Sequence, residues 1–235
     1  MRPTTLPASL DGLRLRAELS AATRDGWDKP ANRQLAMTRL KRYLEKGRAL
    51  ARTRLNGPEG GLEAARTWSG VMNAALRALF DSITSDYTDD PLDGLALCAL
   101  GGYGAGELAP QSDIDLVFLT SDTPPDFAQA IIEQTQYAIW DSGLHIGGGA
   151  VRTLDEAIAL ARDDLSERTA LLDLRSVSGD IRLVRQMHTR FDEDIRIKND
   201  AEFAAAKLAE RDERVDRQGD SRYAVEPNIK DGKGA

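Results

Sequence analysis

The chain has 235 residues, 41% of them hydrophobic and 29% charged, with a formal net charge of −7 and an isoelectric point near 5.0. That composition suits a soluble globular protein with room for one or two domains, and the acidic balance argues against a broad nucleic-acid or anionic-membrane surface, since both need concentrated positive charge. No apolar run is long enough to cross a bilayer, the N-terminus lacks a signal-peptide core, and the single cysteine, Cys98, cannot form an internal disulfide, so the expectation is a cytoplasmic protein with Cys98 as a small core residue.

In chain order, residues 9–24 and 29–56 read as helices, the second with leucines at helical spacing among many Lys and Arg. Asn56-Gly57-Pro58 breaks the pattern, and 61–84 follows as a helix rich in Ala and Leu. Residues 95–100 and 114–119 are predicted strands, 126–141 a helix, and 144–152 a third strand interrupted at Gly147-Gly148-Gly149. Thr153 and Glu156 form a capping box that starts a helix near 154. From there to about 217 the pattern is helical, with a break at Gly179-Asp180 and a second start at Asn199. The expected fold is α+β: a small mixed β-sheet core (59–160) between a helical N-terminal lead (1–58) and a helical C-terminal section (161–218), closed by an irregular tail (219–235).

Chemistry concentrates in LALCALGGYGAGELAPQSDIDLVFL, residues 95–119. An apolar strand ends in Gly101-Gly102, and a second strand begins with Asp113 and Asp115. Side chains alternate along a strand, so the two carboxylates point the same way and repel unless a cation lies between them. Mg²⁺ answers this economically, because it is held by one or two carboxylates plus substrate phosphates. A glycine pair lets a polyphosphate approach bare backbone. Together these features suggest nucleotidyl transfer. The dinucleotide-binding reading of Gly102-Tyr103-Gly104 fails, since position 107 is glutamate and Pro110 interrupts the required helix. A P-loop is excluded because no Gly-Lys-Ser/Thr follows. The plain alternative is a hairpin-like connection with a solvated acidic edge. His145 and His188 have no cysteine or second histidine at ligand spacing, which argues against zinc.

GGYGAGELAPQSDIDLVFL resembles the signature of the PII protein uridylyltransferases, of the DNA polymerase β-like nucleotidyltransferase superfamily. YAIWDSGLHIGGGAVRTLDEA, TALLDLRSVSGD and RYAVEPNIKDGKG are similar to later segments of that family, so the resemblance covers most of residues 60–234. It implies transfer of UMP from UTP to a tyrosine of PII, with pyrophosphate released. Asp113 and Asp115 would hold two Mg²⁺ ions, and Gly101, Gly102 and Ser112 would line the phosphates. Arg152 and Lys230 are cations for the same group, or else solvated. Asp173 matches an acidic family position and is the candidate third carboxylate, or else a helix-surface or Arg175-paired residue. The family usually has arginine where this chain has Ala105, and a Gly-His pair where it has Gly147-Gly148-Gly149. The family continues into phosphohydrolase and regulatory domains. Two other readings stay open: an adenylyltransferase acting on another nitrogen-metabolism protein, and a degenerate module that binds nucleotide or PII without chemistry.

Overall fold

The structure is a computed structural model and describes residues 6–58 and 60–218. A 3₁₀ turn at Ala8–Leu10 leads into α1 (Gly12–Ala22), capped by Asp11, whose carboxylate accepts from the Leu13 amide at 2.8 Å. Pro30 begins α2 (Pro30–Leu55), where its missing N–H leaves no bond unmade. α3 (Gly60–Thr84) buries Trp68, Val71, Met72, Ala75, Leu76, Leu79 and Ile83 along one face. The two long helices touch at Gly47, where a Cβ would stand 2.3 Å from a Val71 methyl.

Four strands follow: β1 (Leu95–Ala99), β2 (Leu116–Thr120), β3 (Ala150–Thr153) and β4 (Arg175–Gly179). Their order is β3-β2-β1-β4, with β1 antiparallel to β2 and β4, and β2 parallel to β3. α4 (Gly101–Gly104) is a single turn after β1, and α5 (Ala128–Asp141) joins β2 to β3. α6 (Leu154–Asp163) and α7 (Leu165–Leu172) precede β4, and α8 (Ile181–Phe191) follows it. A π-helical turn at Asp192–Arg196 then enters α9 (Ile197–Gln218).

β1 and β2 are buried on both faces, and their alternation sorts the core into two layers. Leu95, Leu97, Ala99, Leu116 and Phe118 pack with α1, α2, α3 and α5. Ala96, Cys98, Val117 and Leu119 pack with α6, α7 and α8. The leading helices therefore share one core with the sheet. Each large apolar side chain buried this way contributes about 1.5–3 kcal/mol. Burial also pushes the Cys98 thiol up to about 12, which keeps it an inert core group.

The mixed sheet with helical flanks matches the expected α+β class. The capping box is present: Thr153 Oγ1 accepts from the Glu156 amide, and Glu156 accepts from the Thr153 amide. The structure corrects the chain in three places. β4 lies inside the stretch expected to be helical, and ends at the break expected at Gly179-Asp180. Of its residues only Val177 is buried, and serine and glycine have little intrinsic strand preference, so pairing with β1 creates this strand. The third strand is shorter than expected, starting at Ala150, with only an isolated Ile114–Ile146 bridge ahead of it. The second helix start expected at Asn199 falls two residues earlier, at Ile197, where α9 follows the π-helical turn. The tail 219–235 lies outside the described residues.

Asp180 ends β4 and caps α8. Its buried carboxylate accepts from the amides of Gly94 at 3.1 Å and Arg182 at 2.9 Å, and from Arg182 Nε at 3.1 Å. Burial works to raise its pKa, but these hydrogen bonds outweigh that and hold it below the usual carboxylate value. A depressed native pKa gives stability that is present above the unfolded-state pKa, near 4, and lost as pH falls. Asp180→Ala should cost about 1–3 kcal/mol at pH 7, and thermal melts should show the gap from the parent narrowing below about pH 4.

Candidate active site

The register brings the end of β1 and the starts of β2, β3 and β4 to one edge of the sheet, since Ala99 pairs with Leu116 and Arg175, and Val117 with Ala150. At that edge β1 passes through extended Leu100 into Gly101, whose φ of +50° suits glycine alone. The α4 turn closes with Gly104 N donating to Leu100 O, Ala105 N to Gly101 O and Glu107 N to Gly102 O. Leu100 N donates to Asp115 O at 3.0 Å, which ties the glycine turn to the acidic segment.

The side chains of Arg175, Asn73 and Ser69 anchor the loop behind the turn. Arg175, the first residue of β4, donates from Nε to Gly104 O at 2.9 Å and from its terminal nitrogen to Tyr103 O at 2.8 Å. Its guanidinium also lies 5.3 Å from the Tyr103 ring centre. Buried Tyr103 donates its hydroxyl to Asn73 Oδ1 at 2.9 Å, and Leu108 N donates to Ser69 Oγ at 2.7 Å. At Gly104 a Cβ would lie 2.0 Å from the carbonyl oxygen of Asp173. The clash is with backbone, so Gly104→Ala should lower stability by about 1–3 kcal/mol, read as a lower midpoint in urea with an unchanged m-value.

Asp113 and Asp115 flank Ile114, which is 2% exposed and bridged to Ile146. Ile114 N donates to His145 O at 3.0 Å, and Gly147 N donates to Ile114 O at 3.1 Å. A Cβ on Gly147 would stand 2.5 Å from Asp115 Oδ1 and 3.3 Å from Asp113 Cβ, so both aspartates occupy the face opposite Ile114. A Cβ on Gly101 would stand 3.3 Å from the other oxygen, Oδ2, of Asp115. Two glycines thus abut the two oxygens of one carboxylate. Asp113 is exposed and Asp115 half-buried, at the open edge of the sheet.

The edge gathers Gly101, Gly102, Asp113 and Asp115 as the sequence suggests. Ser112 is exposed on the adjoining loop, where its amide closes a turn onto Ala109 O at 3.0 Å. Arg152 is not brought there: it pairs with Leu119, four residues into β2 from Asp115 and roughly 13 Å along the strand, and it donates to Val151 O. Asp173 ends α7 with its carboxylate exposed, and it is the backbone carbonyl that meets the glycine turn. Among the described residues no three His, Cys, Asp or Glu side chains form a group that could hold a metal, so Asp173 does not complete a triad with the pair. Lys230 lies outside the described residues.

Two hard oxygen donors on one open edge fit Mg²⁺, which keeps several waters and takes its remaining ligands from substrate phosphates. The sequence reading missed Arg175 as the anchor of the turn and Gly147 as the wall beside Asp115. Arg175 is expected from sequence only as a partner of Asp173, because β4 was not recognisable, whereas its guanidinium goes to the Gly104 and Tyr103 carbonyls. Gly147 stood within a glycine run that pointed to an interrupted strand and to a departure from the family's Gly-His pair, not to a wall beside Asp115.

Known proteins resemble this chain along its whole length. It is 45% identical over 239 aligned positions to a bifunctional uridylyltransferase/uridylyl-removing enzyme of Phenylobacterium zucineum (strain HLK1), covering 100% of this chain and 25% of that enzyme. It is 43% identical, with the same coverage, to the enzyme of that name from Caulobacter vibrioides (strain NA1000 / CB15N). The chain spans about a quarter of the length of the curated relatives it matches. Residues 202–235 match the family model described as GlnD PII-uridylyltransferase.

Proposed function

We propose that this chain, related along its whole length to the bifunctional uridylyltransferase/uridylyl-removing enzymes, carries a uridylyltransferase site that moves UMP from UTP to a tyrosine of a PII protein. The observation that carries this reading is the Asp113–Asp115 pair on one face, with glycine against each oxygen of Asp115. The name of the relatives supports the uridylyl group, and the description of the family model supports PII as acceptor.

In the reaction the tyrosine oxygen attacks the α-phosphorus of UTP. A new P–O bond forms, the bond to the bridging oxygen of the β-phosphate breaks, and pyrophosphate leaves with the electron pair. The hydroxyl proton passes to solvent. Bound Mg²⁺, held by Asp113 and Asp115, would neutralise the triphosphate and favour ionisation of the hydroxyl. Gly101 and Gly102 leave room for the polyphosphate to lie against the backbone. Arg175 holds the turn through the Tyr103 and Gly104 carbonyls, so the site is organised before substrate arrives.

The test incubates the purified chain with PII, Mg²⁺ and UTP or ATP labelled at the α-phosphate. Label on PII from UTP is the expected result. Label from ATP alone would replace this reading with adenylyl transfer. Nucleotide binding without label on PII would favour a module that binds and does no chemistry.

A further inference from the structure

His145 stands on the face that carries the two aspartates. The Ile114–Ile146 bridge is parallel, with Ile114 N on His145 O and Gly147 N on Ile114 O. That pattern places residue 113 beside 145 and residue 115 beside 147, with both pairs on the face away from Ile114 and Ile146. The position of Gly147 against Asp115 and Asp113 fixes which face this is. His145 and Gly147 are two residues apart on the same extended segment, so their side-chain positions share it. Where Gly147 leaves space beside Asp115, His145 stands beside Asp113, one strand spacing of about 4.8 Å away. The residue is exposed, and its ring makes no hydrogen bond or ion pair among the described residues.

A carboxylate pair and a triphosphate offer acceptors only. The imidazole carries an N–H donor even when neutral. The exposed ring stands beside Asp113, on the face that a triphosphate held by the two carboxylates would occupy. We propose that His145 is a binding residue of this site, donating a hydrogen bond to the triphosphate of the bound nucleotide. The proposal rests on the nucleotidyl-transfer reading of the Asp113–Asp115 edge, and it adds a contact to a substrate group on which the two aspartates give no direct hydrogen bond.

The experiment measures dissociation constants for UTP, inorganic triphosphate and UMP in the presence of Mg²⁺, together with KM and kcat for labelling of PII. The proteins are the parent chain, His145→Ala and His145→Gln. Loss of a neutral hydrogen bond to a charged group predicts roughly a ten-fold weaker affinity of His145→Ala for UTP and triphosphate. UMP affinity and thermal midpoint stay unchanged, KM for UTP rises with kcat within about two-fold, and His145→Gln recovers most of the loss. Equal triphosphate affinity in the parent and His145→Ala would overturn the proposal. So would an equal loss for UMP, which would mark a general disturbance of the edge. If the parent binds UTP but leaves PII unlabelled, the uridylyl-transfer reading fails while the affinities still decide the role of His145. If the parent binds no triphosphate, both fall.

Discussion

Asp113→Asn and Asp115→Asn should each lower UMP transfer to PII by at least about 10²-fold, and the double variant should leave no measurable transfer. Asparagine keeps the shape of aspartate but removes the charge that a divalent cation requires. Asp113 is exposed and Ile114 supplies the local core contact, so the thermal midpoint of Asp113→Asn should stay within about 2 °C of the parent. Losing repulsion between neighbouring carboxylates works in the same stabilising direction. The measurement pairs a labelling assay with a thermal melt. Full transfer by the double variant would remove the pair from the chemistry, whatever its resemblance to known motifs.

Gly147→Ala separates geometry from charge, because it leaves both carboxylates in place. The added methyl would start 2.5 Å from Asp115 Oδ1, and ordinary contact needs about an ångström more. The atom in its way is the end of a side chain, so Asp115 swings aside and the backbone keeps its course. Gly147 is exposed and its φ is not in the left-handed region, which leaves stability nearly untouched. A displacement of that size at a reacting centre costs on the order of 10²-fold in rate. The expected result is a large fall in kcat at a parental thermal midpoint. Unchanged kcat would show that the Asp115 carboxylate does not need the position described.

The readable parts of the sequence were those governed by local rules. The period-two placement of Asp113, Ile114 and Asp115 puts the acids on one face, and the unbroken apolar runs of β1 and β2 announce strands buried on both sides. The Thr153–Glu156 cap is equally local. What escaped depends on contacts distant in sequence. β4 is a strand because β1 offers it an edge, and its Arg-Ser-Val-Ser-Gly sequence has no pattern of its own. Arg175 reaches back 71 residues to Gly104, a distance no spacing rule spans. Arg152 looked like a site cation in sequence, and only the β2–β3 register reveals how far along the strand it stands.

The pairing of β1 with β2 has a consequence for how this protein can change. The alignment that sets Leu97 opposite Phe118 in the core also sets the Leu100 amide on the Asp115 carbonyl. A slip of one residue would turn apolar side chains to the wrong layer and, in the same movement, swing Asp113 and Asp115 to the opposite face. Core and chemistry therefore answer to a single mechanical setting. Variation that tunes nucleotide or partner choice has little freedom in these two strands. It has more in the loops at the sheet edge, where side chains such as those of Ala105, Ser112 and His145 can be exchanged without moving that setting.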